Sequence, residues 1–549
     1  MPRLVHGSGP PKARLCAVGM APARDEEFTG RPFTGPSGQI LNSALRACGI
    51  SRDEVYVTNI LETSIPMGTS VYEQPGIELA ITRCHSEVFS REPNVILLLG
   101  NDPLRAFMPE LAEGQGTGLI QKWRGSILQH PQGPKIVPAM HPAFFVRGAR
   151  KWEAVFKSVD VPRAVAEAKT KDLLLPKRHT ITAPSLREVL EYLRWLETEP
   201  WLSFDIETTR GYQDIACVGF GSRIDEAMCV PLVRAGGREP YWSLDNEAIV
   251  WQAMARLLQS SVQKVAQNAA FEWLHFWRNG IYPANLWIDT MTLHHCLYPD
   301  FGGTEDLYRK RDPNNPGHTL AFINSQYTRT PFYKDEGRMW IPAYGDERFW
   351  RYNGTDVMVT LDAALQMHHE AKERGLLGIY QDYYLRPFLH SIRMEWDGVR
   401  QDLSIRDRAR RETDERISLF QEYIRTDVGY DLNVKSPKQM AEFLYGTRGY
   451  KPVRHPKTRK VTTDKNAIAR FLAQGDRTLE AINELQKLRD FKGDILDVSL
   501  GPSGSIHTHY KIGGTNGSRW SSGKSILGTG TNLQNIPRDG IARRLFLPG

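Results

Sequence analysis

Residues 201–209 read WLSFDIETT. Trp201 to Phe204 is an apolar run of strand length, and strand side chains alternate between faces. Leu202, Phe204 and Ile206 then point one way, Asp205 and Glu207 the other. Two carboxylates one pleat apart on a buried strand repel each other and resist losing water. A divalent cation removes the conflict, because hard oxygen ligands suit Mg2+ or Mn2+. The alternative is a solvated strand edge, where the pair needs no ion.

Two later stretches bear on that choice. QNAAFEWLHF (267–276) sets Asn268, Phe271 and Glu272 at the start of an expected helix. RYNGTDVMVTLDAAL (351–365) sets Tyr352 and Asp356 four residues apart, on one helix face. If the strand and both helices pack together, four carboxylates converge: Asp205, Glu207, Glu272 and Asp356. In this order the motifs resemble the DEDDy-type 3′–5′ exonuclease, the proofreading domain of family A DNA polymerases. The second motif of that family usually ends in Asp, and Glu272 is one methylene longer. The resemblance implies a ribonuclease H-like domain over 181–375. It also implies two Mg2+ or Mn2+ ions about 3.5–4 Å apart. Asp205 would bridge them, Glu207 and Asp356 would hold one, and Glu272 would orient the other. Tyr352 would orient the attacking water, and Asn268 would lie on the DNA.

The chain has 549 residues, enough for about three or four domains. Its net charge of +7 is a mild basic excess. KPVRHPKTRK at 451–460 concentrates Lys and Arg with no acid, which favours a nucleic-acid partner. The six cysteines form no C-x-x-C pair, which argues against disulfides and fits a reducing cytoplasm. No apolar run approaches the roughly 18 residues of a membrane span, so no membrane partner is expected.

Residues 1–168 alternate apolar runs with helical stretches: LCAVG, VYVTN, VILLLG (95–100) and KIVPAM (135–140). This is an α/β pattern, followed by an expected linker at 169–180. The loops after the runs, at 19–38, 58–64, 100–103 and 141–148, should gather beyond the strand carboxyl ends. There Phe33 can stack on a planar base, Asn59 can read its edge, and His141 can donate to a developing oxyanion. Each also has a plain structural use, as core, helix cap and turn residue. Together G-x-A-P, T-G-R-P-F-T-G, T-N and H-P resemble the uracil-DNA glycosylase superfamily. The resemblance implies an α/β/α sandwich that binds uracil through Phe33, Asn59 and His141, with His141 catalytic. Met20 stands where the family often has a polar or acidic residue, and Asp25, Glu26 and Glu27 are the nearest carboxylates. Many relatives carry an iron–sulfur cluster on four cysteines. Cys16, Cys48 and Cys84 are only three, so no cluster is expected.

From 376 to 549 the chain turns to helices and basic loops. LNVKSPKQMAEFLY (432–445) and TTDKNAIARFLAQ (462–474) match the thumb of family A polymerases. A long helix is expected over 480–500, with Ile482, Leu485, Leu488, Ile495 and Leu496 in the core. Lys487, Arg489 and Lys492 would be left for phosphates. In HTHYKIGGTNGSRWSS (507–522) Thr515, Arg519, Ser521 and Ser522 match the family pattern T-x-T-G-R-x-S-S, with Ser518 in place of its glycine, and in TNLQNIP (531–537) Asn532 to Pro537 match the P-N-L-Q-N-I-P that follows. Arg519, Gln534 and Asn535 are then expected on primer–template. The palm aspartates of the family follow this motif. The resemblance therefore implies an incomplete palm, with synthesis needing palm and fingers from a C-terminal fragment. The whole pattern is similar to the N-terminal part of a phage-type or mobile-element family A DNA polymerase. Two other readings stay open: a uracil-DNA glycosylase with accessory domains, and a non-catalytic DNA-holding subunit.

Overall fold

The four apolar runs of the first 168 residues become strands of one sheet. In the computed structural model these are Leu15–Gly19 (β1), Tyr56–Asn59 (β2), Val95–Leu99 (β3) and Lys135–Ala139 (β5), with the short Leu128–Gln129 (β4) added at the edge. The structure describes residues 4–66, 69–113, 118–209, 214–234, 238–301, 317–335, 345–455, 460–472, 474–512, 519–526, 528–537 and 540–547. The strand order is β2-β1-β3-β5-β4. All neighbours are parallel except β4, which runs against β5. Every residue of β1, β3 and β5 is buried, as continuous apolar runs require when both faces are covered. The chain crosses to the other side of β1 between β2 and β3, so the loops after β1 and β3 part there and leave a crevice.

A second sheet contains β6 (His179–Ile181), β7 (Trp201–Thr208), β8 (Ile215–Gly221) and β9 (Glu226–Pro231). After a small ribbon of β10 (Val233–Arg234) and β11 (Glu239–Pro240), the chain adds β12 (Gln263–Ala266) and β13 (Leu286–Asp289). The order is β13-β12-β7-β8-β9-β6. β7 is central, parallel to β12 and antiparallel to β8. β6 starts at His179, so the expected linker already enters the sheet at its last residues. The helix Asp346–Glu373 packs across β7, β8 and β9. Its close seat depends on two glycines. A Cβ on Gly219 would come within 2.6 Å of Asn353 Oδ1, and one on Gly354 within 2.2 Å of Thr180.

Both sheets belong to one compact unit, Met1–Phe388 with Ile512–Trp520. The stretch 301–348 contains the helix Leu320–Tyr327. Thr319 caps it by accepting the Phe322 N–H. Phe322 and Phe301 complete the apolar core of the first sheet, so the stretch folds because another domain buries it. Residues 302–316 and 336–344 of that stretch lie outside the described residues.

The second unit is Leu389–Lys511 with Ser521–Gly549. Its helices Leu403–Val428 and Arg477–Phe491 pack around Ile424, Phe443, Leu444, Ile482 and Leu485. The helix expected over 480–500 ends at Phe491 and widens into a looser turn, Lys492–Leu496. Among the described residues no helix is long and apolar enough to cross a membrane.

Candidate functional site

The central strand β7 and the helix Asp346–Glu373 bring three acids together. Carboxylate oxygens of Asp205, Glu207 and Asp356 lie within 4.8 Å of one another. Among the described residues no other three His, Cys, Asp or Glu side chains meet in this way. Asn353 donates its amide to Asp205 Oδ2 at 2.9 Å and to the Asp205 carbonyl at 3.2 Å. The Asp356 carboxylate accepts from the Tyr333 hydroxyl on Oδ1 and the Lys334 ammonium on Oδ2, each at 2.5 Å. Lys334 Nζ also lies 4.7 Å from the centre of the Tyr352 ring.

Glu272 stands beside this trio on the helix Ala270–Arg278. It is 3% exposed, and its Oε2 has no hydrogen-bond partner. Burial, and then repulsion from Asp205, push its carboxyl far above the usual range. The same causes raise Glu207, while burial and then Asp356 raise Asp205; Lys334 partly offsets both shifts. Burial and the neighbouring acids keep the Tyr352 phenol protonated. Four clustered carboxylates, Asp205 and Glu207 part-buried, Asp356 and Glu272 buried, with one oxygen orphaned, suit a hard divalent cation. Asn268 enters its helix with a left-handed backbone, φ 61°, which asparagine tolerates better than most residues. Asp289 fixes that turn by accepting the Ala269 N–H at 2.8 Å.

Sequence reasoning missed Asn353, Tyr333 and Lys334. Asn353 carried a signal, since it lies three residues before Asp356 on the same helix face. Tyr333 and Lys334 carried none, because a segment outside any helix or strand, with no periodicity, delivers them. His294 and His295 are buried. Each hydrogen-bonds His318, at 2.6 and 3.0 Å.

The second cluster lies at the crevice of the first sheet. Asn59 ends β2, is 2% exposed, and has no partner for Oδ1 or Nδ2. Phe33 is buried with φ 56°, and its ring centre lies 5.8 Å from that of His141. Gly19 leaves room between them. A Cβ there would sit 2.3 Å from Asn59 Oδ1 and 2.7 Å from the Phe33 ring. His141 Nδ1 accepts the Ala143 N–H at 3.1 Å, which puts the ring proton on Nε2. Burial, aided by the Arg147 charge, lowers its pKa to about 4, so the ring is a neutral donor.

The first-loop carboxylates are placed differently from one another. Glu26 is buried and accepts the Ala23 N–H at 3.0 Å. Glu27 accepts the Ser64 N–H at 2.7 Å, and Asp25 is exposed. Met20 packs against the core. Burial pushes the Cys16 and Cys84 thiols up to about 12, so both stay protonated. With Cys48 they are three thiols in the first 168 residues, one short of the four that an iron–sulfur cluster takes.

In the second unit Asn532 caps the turn Leu533–Asn535. It accepts the Gln534 N–H at 3.0 Å and the Ser522 hydroxyl at 2.5 Å, tying the two C-terminal motifs together. Gln534, Asn535 and Arg519 have exposed side chains. Buried Glu395 anchors the region, accepting from Ser525 at 2.8 Å and pairing with His509 at 2.7 Å. Lys487 and Lys492 are not left free as the sequence suggested. Lys487 pairs with Glu484 at 2.6 Å, one helical turn away. Lys492 pairs with Asp414, which the neighbouring helix brings alongside.

Comparison with known proteins assigns families to the two ends. Residues 6–166 match the family "Uracil DNA glycosylase superfamily", and residues 404–548 match "DNA polymerase family A". Over 145 residues the chain is 32% identical to a type-4 uracil-DNA glycosylase of Thermotoga maritima, covering 26% of this chain and 72% of that protein. Over 419 residues it is 26% identical to a DNA polymerase I of Rhizobium leguminosarum, covering 70% of this chain and 39% of that protein. A DNA polymerase of Bacillus phage SP01 is 21% identical over 625 residues, 99% of this chain and 65% of its own length. The chain thus spans less than two thirds of either polymerase relative. Through residues 6–166 the chain belongs to the uracil DNA glycosylase superfamily, and through residues 404–548 it carries a DNA polymerase family A domain.

Proposed function

We propose that this chain serves DNA replication as the editing part of a family A polymerase. It removes 3′-terminal nucleotides at the carboxylate cluster, recognises uracil in its first domain, and holds primer–template with its C-terminal unit. The observation that carries this reading is the meeting of Asp205, Glu207 and Asp356 within 4.8 Å. These three, with Glu272, would hold Mg2+ or Mn2+, which supplies Lewis acidity for phosphodiester hydrolysis. The residues themselves do the rest. Asn353 orients Asp205, Tyr333 and Lys334 orient Asp356, and Tyr352 keeps its proton for a water or a phosphate oxygen. A primer labelled at its 5′ end should shorten stepwise with Mg2+ or Mn2+ and stay intact with EDTA. A primer left intact under both conditions would refute the reading.

The orphaned Asn59 amide favours a second activity, uracil binding, because a base edge satisfies both of its atoms. The neutral His141 Nε2–H is the donor for charge developing on the base. Base excision should be slow, since backbone N–H groups engage Glu26 and Glu27. Competition binding between uracil- and thymine-containing strands tests recognition, and equal affinity would sink it.

A further inference from the structure

The segment that carries Tyr333 and Lys334 is held from outside its own domain. Arg124, 1% exposed side chain included, pairs with Asp160 at 2.5 Å and donates to Ser325 Oγ at 2.7 Å. Arg163 donates to the Ser325 carbonyl at 2.9 Å and the Gln326 carbonyl at 3.0 Å. Ser126 Oγ accepts the Phe332 N–H at 3.1 Å. Trp123 packs edge-on against Phe332 at 5.5 Å, and Lys122 pairs with Asp335. The residue next to that ion pair is Lys334, which sits on Asp356.

We propose that the glycosylase-like domain is a structural part of the carboxylate site. Through Lys122, Ser126 and Arg163 it pins residues 325–335, and this pinning sets Tyr333 and Lys334 on Asp356. The inference rests on reading that cluster as the exonuclease site. Lys122 and Ser126 are positioning residues, acting on the cluster only through Tyr333 and Lys334. Neither belongs to the uracil pocket. The geometry gives them leverage, because residues 328–335 belong to no helix or strand, Arg178 and Asn324 hold them only at Thr330, short of Phe332, and a misplacement of about 1 Å can cost a hundredfold in rate. A domain of one enzyme family thereby becomes a wall of another's active site.

The test uses the full chain with Lys122→Ala and Ser126→Ala combined, both small changes that leave the buried Arg124–Asp160 pair intact. Hydrogen exchange read by mass spectrometry should quicken over residues 329–335 and stay unchanged over β7. Exonuclease kcat should fall about tenfold, with KM for the primer end and affinity for uracil-containing DNA unchanged. In a Tyr333→Phe, Lys334→Ala background the same pair of changes should cause no further loss, the mark of residues that act through one another. Unchanged exchange over 329–335 would overturn the proposal. So would quickened exchange with a normal rate, or an undiminished loss in the Tyr333→Phe, Lys334→Ala background. A wild-type chain without nuclease activity would refute the exonuclease reading separately, and the exchange result would still decide whether the segment is pinned.

Discussion

Asn59 and Glu272 are the two residues whose burial makes least sense without a ligand. Asn59 hides a whole amide with no partner, which a fold tolerates only where something else completes the bonds. Asn59→Ala should therefore cut the preference for uracil over thymine at least about tenfold, because a site built around a hydrogen bond gains its discrimination from it. Binding competition checks this. Gly19→Ala should have the same effect by steric means, as its Cβ would occupy the space between Asn59 and Phe33. If Gly19→Ala binds uracil-containing DNA normally, the base does not enter there. Glu272 hides one oxygen without a partner close to Asp205 and Glu207. Glu272→Asp keeps the charge and shortens the reach by one methylene, so exonuclease kcat should stay within about tenfold of wild type. Glu272→Ala should lose far more, and equal rates for Asp and Ala variants would remove Glu272 from the site.

Among the elements, β7 and the helix Asp346–Glu373 were legible in the sequence because each has its own period. Alternation placed Asp205 and Glu207 on one face of a strand, and a four-residue spacing placed Tyr352 and Asp356 on one face of a helix. The loops after β1, β2 and β5 were legible through the apolar runs that precede them. The helix Leu320–Tyr327 was not, because its flanks are rich in turn residues and its burial comes from the other domain's core. Nothing local marks such a segment. The buried string His294–His318–His295 was hidden for the same reason, since His318 starts that segment. Burial lowers all three pKa values, to about 4 for His294 and His295. The folded state then binds fewer protons than the unfolded state below the usual value of 6.5. Stability contributed by the neutral string is present above pH 6.5 and is lost as pH falls toward 4. Exchange protection of Leu320–Tyr327 should drop over that window. Protection that is flat between pH 7 and pH 4.5 would contradict the burial of the string.

At the scale of the whole molecule, the two sheets form one compact unit, and the family A polymerase domain lies in the other. Sequence alone divided the chain by motif. It gave no sign that Arg124 and Arg163 bond to backbone and side chains of the neighbouring domain, since buried cations read as surface charge until their partners are known. The basic excess suits a protein that follows phosphates, whose DNA affinity should fall steeply with added salt. In the function we propose, Asp205, Glu207 and Asp356 form a metal-dependent nuclease site. The most direct measurement compares wild type with Asp205→Ala on a mismatched primer in Mg2+, after matching their uracil-DNA affinities to show that both are folded. Wild type should shorten the primer, and Asp205→Ala should be slower by about a thousandfold or more. Equal shortening by both proteins would contradict the account.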